Sequence, residues 1–315
     1  MSSSKKVLVL GAGAVGALYG GFLHKAGVDV SVTCRSDYEH VKQQGFQIDS
    51  CLGNFNFQPT QVVRKPEDYS GVPDYVIVAT KVLPDADVSS LLRPVLGSDT
   101  VIVLLQNGID IEPPVAQAFP ENLLISGLAF VCSNRIGPGH IHHQDYGRLI
   151  IGAYPGGSHQ AVLELSEWFK QAGINCVASE NIISARWKKL VWNAPYNPVS
   201  VLGGCLDTSQ IMESTEAVLL VKHVMEEVCL LASHEGHPQV ESVIEQNLVD
   251  TRNMVPYRTS MLLDYEAGRP MEVEAILGNV VKIGRRHQLA IPHIQALYAL
   301  LQLKDVHNRQ QKIPS

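Results

Sequence analysis

The chain has little of what several protein classes require. Its six cysteines, Cys34, Cys51, Cys132, Cys176, Cys205 and Cys229, stand singly among 315 residues. None forms a C-x-x-C pair, which argues against a zinc ribbon or a dithiol redox motif and fits thiols kept reduced in a cytosolic compartment. Positive charge is also short, because 25 lysines and arginines against 31 acids leave a net charge of −6. A general nucleic-acid binder needs a basic face to displace counterions, so no nucleic-acid partner is expected. No apolar run approaches the roughly 20 residues of a spanning helix. The opening MSSSKKVLVLG carries too short an apolar run for a signal peptide. These absences together predict a soluble, cytoplasmic protein with no membrane association. Internal repeats and low-complexity tracts are absent too, so a solenoid is not expected.

What is present is a globular chain with a large core. A hydrophobic fraction of 45% beside 18% charged residues is in the range of folded domains, and the length is enough for two of them. KVLVL at 6–10 is an apolar, β-branched run of the kind buried on both faces of a parallel sheet. Gly11-Ala12-Gly13-Ala14-Val15-Gly16 follows at once, then a helical stretch to about Gly27 and a second strand, VDVSVTCR, at 28–35. A G-x-G-x-x-G between a strand and a helix predicts a Rossmann-type dinucleotide cradle. The three glycines allow a tight turn, close approach to a pyrophosphate, and close helix–strand packing. The helix N-terminus adds amide donors and a favourable dipole.

The end of the second strand bears on which dinucleotide is held. NAD sites commonly place an acid there for the ribose 2′-hydroxyl. Here the strand ends Thr33-Cys34-Arg35-Ser36, and Arg35 suits a 2′-phosphate because a guanidinium donates two parallel bonds. The reading is NADP, with a solvated surface arginine as its alternative. Asp37 stands two residues late for the NAD role.

Two further strands are expected at 74–81, ending in Lys81, and at 100–108, ending in Gln106-Asn107-Gly108. Ligands of open α/β sheets bind at carboxyl ends of strands, so Lys81 and Asn107 are candidate cofactor or substrate contacts. Taken singly, each is equally an ordinary loop residue. Residues 122–152 are expected to be further strands joined by a turn at Gly137-Pro138-Gly139, and His140, His142 and His143 cluster there with no carboxylate repeating their spacing. They are expected to be strand or surface histidines, and no metal site is expected. A helix at 161–172 stopped by Gly173 and a last strand, INCVAS at 174–179, complete the first part.

From residue 181 the periodicity becomes helical. The expected organisation is a cofactor domain at 1–180 and an all-α substrate and catalytic domain at 181–315. Helical patterns cover 182–194, 206–236 ending at glycine, and 259–292 with a break at Ala267-Gly268-Arg269-Pro270. Within RWKKLVWNAPYNP at 186–198, Lys189, Asn193 and Asn197 recur at a stride of four. That stride stacks them on one helical face. Lys188 lies about 100° away and off that face. Pro195 sits in the same run and is expected to weaken or kink the helix.

GAGAVG, Gln106-Asn107-Gly108, KLVWNAPYNP and SMLLDYEAGRPMEVE, in that order, resemble the ketopantoate reductase family over nearly the whole chain. The resemblance implies a Rossmann domain followed by a helical domain, and reduction of ketopantoate to pantoate with NADPH on the route to pantothenate. It implies Lys189 as the catalytic general acid, with Asn193 and Asn197 holding substrate. Asn107 would serve cofactor and substrate, and Ser260 the substrate carboxylate. Glu272 would lie beside both the nicotinamide ribose and the lysine. Lys81 would be a cofactor-side lysine, and Cys132 a backbone contact to the cofactor. Two positions depart from the family pattern: Tyr257 stands where an asparagine is expected, and Asp207 where an amide is common. An acid facing a substrate carboxylate would repel it.

The residues also suit the chemistry on their own terms. A lysine ammonium beside a ketone oxygen both polarises it and donates the proton. Burial would lower its pKa and a neighbouring Glu272 would raise it. The expected partner is a small 2-oxo acid. Two alternatives remain at this point: an NADP-dependent reductase of another 2-oxo or β-hydroxy acid, and an NADP-binding sensor without turnover. A homodimer is compatible with the sequence, which does not fix the oligomeric state.

Overall fold

The computed structural model describes residues 4–310; positions 1–3 and 311–315, the outer ends of the two expected domains, lie outside the described residues. The chain divides into two compact units. The first holds Met1–Lys81, Ala86–Gln106 and Glu112–Ile182. The second holds Ile183–Ser315 together with two short loops, Val82–Asp85 and Asn107–Ile111. A single cut near residue 180 does not anticipate those loops. No helix among the described residues is long and apolar enough to cross a membrane.

The first unit is built on one mixed sheet. Its strands are β1 (Lys6–Leu10), β2 (Asp29–Thr33), β3 (Phe46–Ser50), β4 (Phe55–Phe57), β5 (Val62–Val63), β6 (Tyr75–Val78), β7 (Val101–Leu104), β8 (Leu124–Gly137), β9 (His140–Ala153) and β10 (Cys176–Ala178). The order is β4-β3-β9-β8-β7-β6-β1-β2-β5, with β10 also pairing β9. From β5 to β8 every pairing is parallel, and β8–β9 is an antiparallel hairpin with register shifts. The parallel strands β1 and β6 are almost wholly buried, as their unbroken apolar runs require. Helices α1 (Ala14–Lys25), α2 (Tyr38–Gln44), α3 (Val88–Leu92), α4 (Pro113–Ala118) and α5 (Gln160–Gln171) connect them. In α5, Val162, Leu165, Ser166 and Phe169 are buried at helical spacing, which turns one face to the core. Strands β3 to β5 lie in a stretch where no strand is expected from the sequence. They are short, and β4 and β5 have only three and two residues.

The second unit is helical: α6 (Ile182–Leu202), α7 (Thr208–Glu213), α8 (Thr215–His234), α9 (Val243–Asn253), α10 (Ser260–Glu266), a π-helical turn Glu274–Gly278, α11 (Asn279–Arg286) and α12 (Pro292–Gln310). The helical stretch expected at 206–236 holds two helices, and the weakening expected at Pro195 does not break α6. Ser214 leaves the helical conformation and its side chain accepts from the Ala217 amide, so it caps α8 and ends α7. α6 runs unbroken through Pro195 and also through Pro198. An interior proline costs about 3 kcal/mol. Trp187, Val191, Ala194, Tyr196 and Val201 on the same helix are each no more than 1% exposed. Burying a large apolar side chain contributes roughly 1.5–3 kcal/mol, so packing around α6 offsets what the prolines cost.

Candidate active site

In the first unit β1 feeds the glycine turn. Gly11 has φ +92°, and a Cβ there would meet the Thr80 side chain at 2.7 Å. Its amide donates to Thr33 Oγ1 at 2.8 Å, and the Ala12 amide to Thr33 O at 3.0 Å, which ties the turn to the end of β2. A Cβ on Gly16 would fall 2.3 Å from Gly11 O, so helix and turn touch backbone to backbone. Gly13 has open space where a side chain would stand. It caps α1 without a side-chain bond, and the first turn, with Ala14 and Val15, carries no acid. A helix start with bare amides, no competing carboxylate and open space above it fits the pyrophosphate of a dinucleotide.

The other first-unit candidates are placed less tightly. Lys81 is half-buried just beyond β6, and Gln106 Nε2 donates to Thr80 O at 2.6 Å. Arg35 is exposed past the end of β2 and makes no hydrogen bond or ion pair with a described residue. Cys132 is buried in β8. His143 is buried and bonded to Ser50 Oγ at 2.9 Å, whereas His142 is exposed. No cluster among the described residues is arranged to hold a metal ion.

The second unit gathers the residues of the lysine motif. Lys189 is half-buried on α6, and its Nζ donates to Asn107 Oδ1 at 2.9 Å. Asn107 Nδ2 in turn points to Glu272 Oε2 at 3.4 Å, and Glu272 Oε1 accepts from the Val82 amide at 2.9 Å. A lysine, an amide and a carboxylate thus form one chain, held by three segments far apart in sequence. Lys188, the neighbouring lysine, is exposed.

Burial pushes the Lys189 ammonium down to about 7, the nearby Arg186 guanidinium pushes in the same direction, and Glu272 opposes both. Arg186 is the residue that sequence reasoning left without a role. It is 1% exposed, and its Nη1 donates to Gly108 O at 2.9 Å, next to Asn107. The available signal was its position one helical turn before Lys189, on the same face.

Asn193 and Asn197 follow on that face. Asn197 is 2% exposed, and neither side-chain amide bonds to a described residue. Asn193 is half-buried, so the two side-chain amides differ in exposure while sharing the helical face of Lys189. Ser260 is exposed at the start of α10 and makes no hydrogen bond to the Lys189 chain. Its neighbour Thr259 is tied to α6 through Ser200, whose Oγ lies 2.7 Å from Thr259 Oγ1 and donates to Asn197 O at 2.8 Å.

The two family departures acquire physical accounts of different strength. Asp207 is the N-cap of α7: its carboxylate accepts from the Gln210 amide at 2.9 Å, and Gln210 Oε1 accepts from its amide at 3.0 Å. This capping box engages the acid in the helix start. Tyr257 is half-buried, its ring 6.3 Å from that of Trp192, the residue before Asn193.

Comparison with known proteins places the chain in a family. The family model described as ketopantoate reductase PanE/ApbA matches residues 7–156, and the C-terminal model of the same family matches 181–305. A 2-dehydropantoate 2-reductase of Nostoc sp. is 38% identical, with 98% of this chain and 97% of that one covered. The crystal structure of a 2-dehydropantoate 2-reductase from Methylococcus capsulatus has a TM-score of 0.90 at 49% identity, covering 96% of this chain and 97% of that one. One from Geobacter metallireducens gives 0.89 at 34% identity, with 95% and 99% covered. The mixed-sheet first domain and helical second domain are shared with these structures. The chain belongs to the ketopantoate reductase PanE/ApbA family of oxidoreductases.

Proposed function

We propose that the protein reduces 2-dehydropantoate to pantoate with NADPH, and that Lys189 is its general acid. The observation that carries this reading is the Lys189–Asn107–Glu272 chain, beside the unpaired amides of Asn193 and Asn197. NADPH, when bound, supplies a hydride to the ketone carbon. The glycine turn Gly11–Gly16 and the bare start of α1 hold the pyrophosphate, and Arg35 and Lys81 are the cationic groups for its phosphates. The Cys132 backbone completes the cofactor contacts.

Lys189 donates its proton to the oxygen that becomes the alkoxide. A donor with a pKa of about 7 is matched to neutral pH, because it is still substantially protonated and gives up its proton readily. Asn107 fixes the direction of the ammonium, and Glu272 holds Asn107 while favouring the charged lysine. Asn193 and Asn197 donate to substrate oxygens without adding charge. The Ser260 hydroxyl binds the substrate carboxylate.

A second reading, reduction of a different branched 2-oxo acid, is favoured by Tyr257, which brings a ring where the family pattern has an amide. Absorbance at 340 nm separates the readings when 2-dehydropantoate is assayed beside close analogues. The proposal expects the highest kcat/KM with 2-dehydropantoate. A higher value with another 2-oxo acid selects the second reading, and no oxidation of NADPH with any of them overturns both and leaves a non-catalytic sensor.

A further inference from the structure

We infer that Arg135 sets the cofactor preference of the proposed site by neutralising Asp37, the acid that would otherwise face the adenosine ribose. The inference rests on the reading of the protein as an NADPH user. An acid at the end of the second strand is what an NAD site uses to accept from the ribose 2′-hydroxyl. Asp37 is such an acid, four residues past the end of β2, yet it is only 7% exposed. Its oxygens are all engaged within the first unit. Oδ1 accepts from Ser36 Oγ at 2.8 Å and from Arg135 Nη1 at 2.6 Å, and Oδ2 accepts from the Gly139 amide at 3.1 Å. Arg135 Nη1 also donates to Ser36 Oγ at 2.7 Å, so the β8–β9 hairpin grips the segment that follows Arg35. Burial alone would raise the pKa of Asp37, but the bonds from Gly139 and Ser36 and the charge of Arg135 outweigh it. The carboxylate therefore stays ionised at neutral pH, and its charge must be met.

The surrounding charges show what Arg135 contributes. Arg64 is committed elsewhere, with Nη2 2.6 Å from Glu39 and its guanidinium 4.1 Å from the centre of the Tyr38 ring. Arg35 is paired with no described residue. Arg135 and Arg64 each cancel one acid, and the positive charge of Arg35 is left over. Take Arg135 away and the ionised Asp37, two residues on, cancels Arg35. A 2′-phosphate carries between one and two negative charges, so it is attracted by the first arrangement and loses that attraction in the second. A plain 2′-hydroxyl is indifferent to the charge and gains an acceptor.

The test is the dissociation constants of NADPH and NADH for the whole protein, by tryptophan-fluorescence quenching, in a double-mutant cycle. Arg135→Ala is expected to weaken NADPH at least about tenfold while NADH stays within about threefold, the size of losing one charge-assisted contact. Asp37→Asn in the Arg135→Ala background is expected to restore NADPH binding, because it removes the acid that Arg135 neutralises. Arg135→Lys keeps the charge and should keep the preference within about threefold; it also stands in if the alanine variant does not fold. An unchanged NADPH-to-NADH ratio in Arg135→Ala, or a loss that Asp37→Asn does not restore, overturns the inference. A wild-type protein that binds NADH the more tightly overturns the NADPH reading itself, which is a separate outcome.

Discussion

The glycine turn of the first unit and the lysine face of the second are built on opposite plans. The turn is local: six consecutive residues, one strand and one helix make the place proposed for a pyrophosphate. The lysine site is assembled from α6, the loop at Asn107 and the segment at Glu272, which are 82 and 165 residues apart in the two hydrogen bonds that join them. A local site is backbone chemistry, so it fails when a side chain is added. An assembled site is side-chain chemistry, so it fails when one is removed.

The largest effect expected from this contrast is at Lys189. Lys189→Ala should lower kcat by at least about a hundredfold, the lower end of what a positioned general acid contributes. NADPH affinity should stay within about threefold, because no part of the pyrophosphate cradle changes. Steady-state rates and fluorescence titration on the same preparation check both halves. Wild-type turnover in the variant would remove Lys189 from the mechanism. Next in size is the opposite manipulation. Gly16→Val places a Cβ 2.3 Å from Gly11 O, against backbone that cannot yield like a side chain. Overpacking of this kind costs roughly 1–3 kcal/mol. Where that strain is relieved by opening the turn, NADPH affinity should fall by about ten- to a hundredfold. A folded Gly16→Val protein with wild-type affinity would show that the turn does not contact the cofactor.

How much of each site could be read from the sequence follows the same division. Gly11, Gly13 and Gly16 were legible because the reason for them is local backbone geometry. The stride of Lys189, Asn193 and Asn197 was legible because a helix has a fixed period. Arg186 was not, since a buried arginine looks like a surface one until its acceptor, Gly108 O, is known. The part played by Asp207 was hidden in the same way. Its spacing to Gln210 is that of a capping box, but helical periodicity running from 206 to 236 does not mark where a helix starts within it. Asp37 was noticed as an acid in an awkward place; what answers its charge lies 98 residues away on a hairpin. Strands β4 and β5 are too short to carry a period at all.

A smaller effect sharpens the electrostatic side of the comparison. With the Lys189 pKa at about 7, the proton donor is present below that value and lost above it. The chemical step should therefore be level in mildly acidic buffer and fall about tenfold per pH unit above about pH 7. Measured as kcat for the 2-oxo acid under saturating NADPH, a rate that holds level to pH 9 would mean that the proton comes from elsewhere.

The smallest effect is on stability, and its sign follows from linkage. The folded-state pKa of Lys189 lies below the ordinary lysine value of 10.5, so between about pH 7 and 10.5 the unfolded chain binds a proton that the folded chain does not. Stability then rises with pH across that window, and below it the full cost of holding a charged lysine in this setting is present. Lys189→Met removes the charge and keeps most of the side-chain volume. Its Tm should exceed that of the wild type by about 2–4 °C at pH 6, the shift expected for roughly 1 kcal/mol in a protein of this class of size. The difference should shrink as pH is raised towards 10, because the wild-type lysine is then neutral in the folded state as well. Differential scanning calorimetry at pH 6, 8 and 9.5 reads the trend directly. A variant that melts lower than the wild type at pH 6 would mean that the bond to Asn107 Oδ1 and the attraction of Glu272 more than repay the desolvation of the ammonium. In that case the assembled site would hold its unit together, as the glycine turn holds β1 to α1.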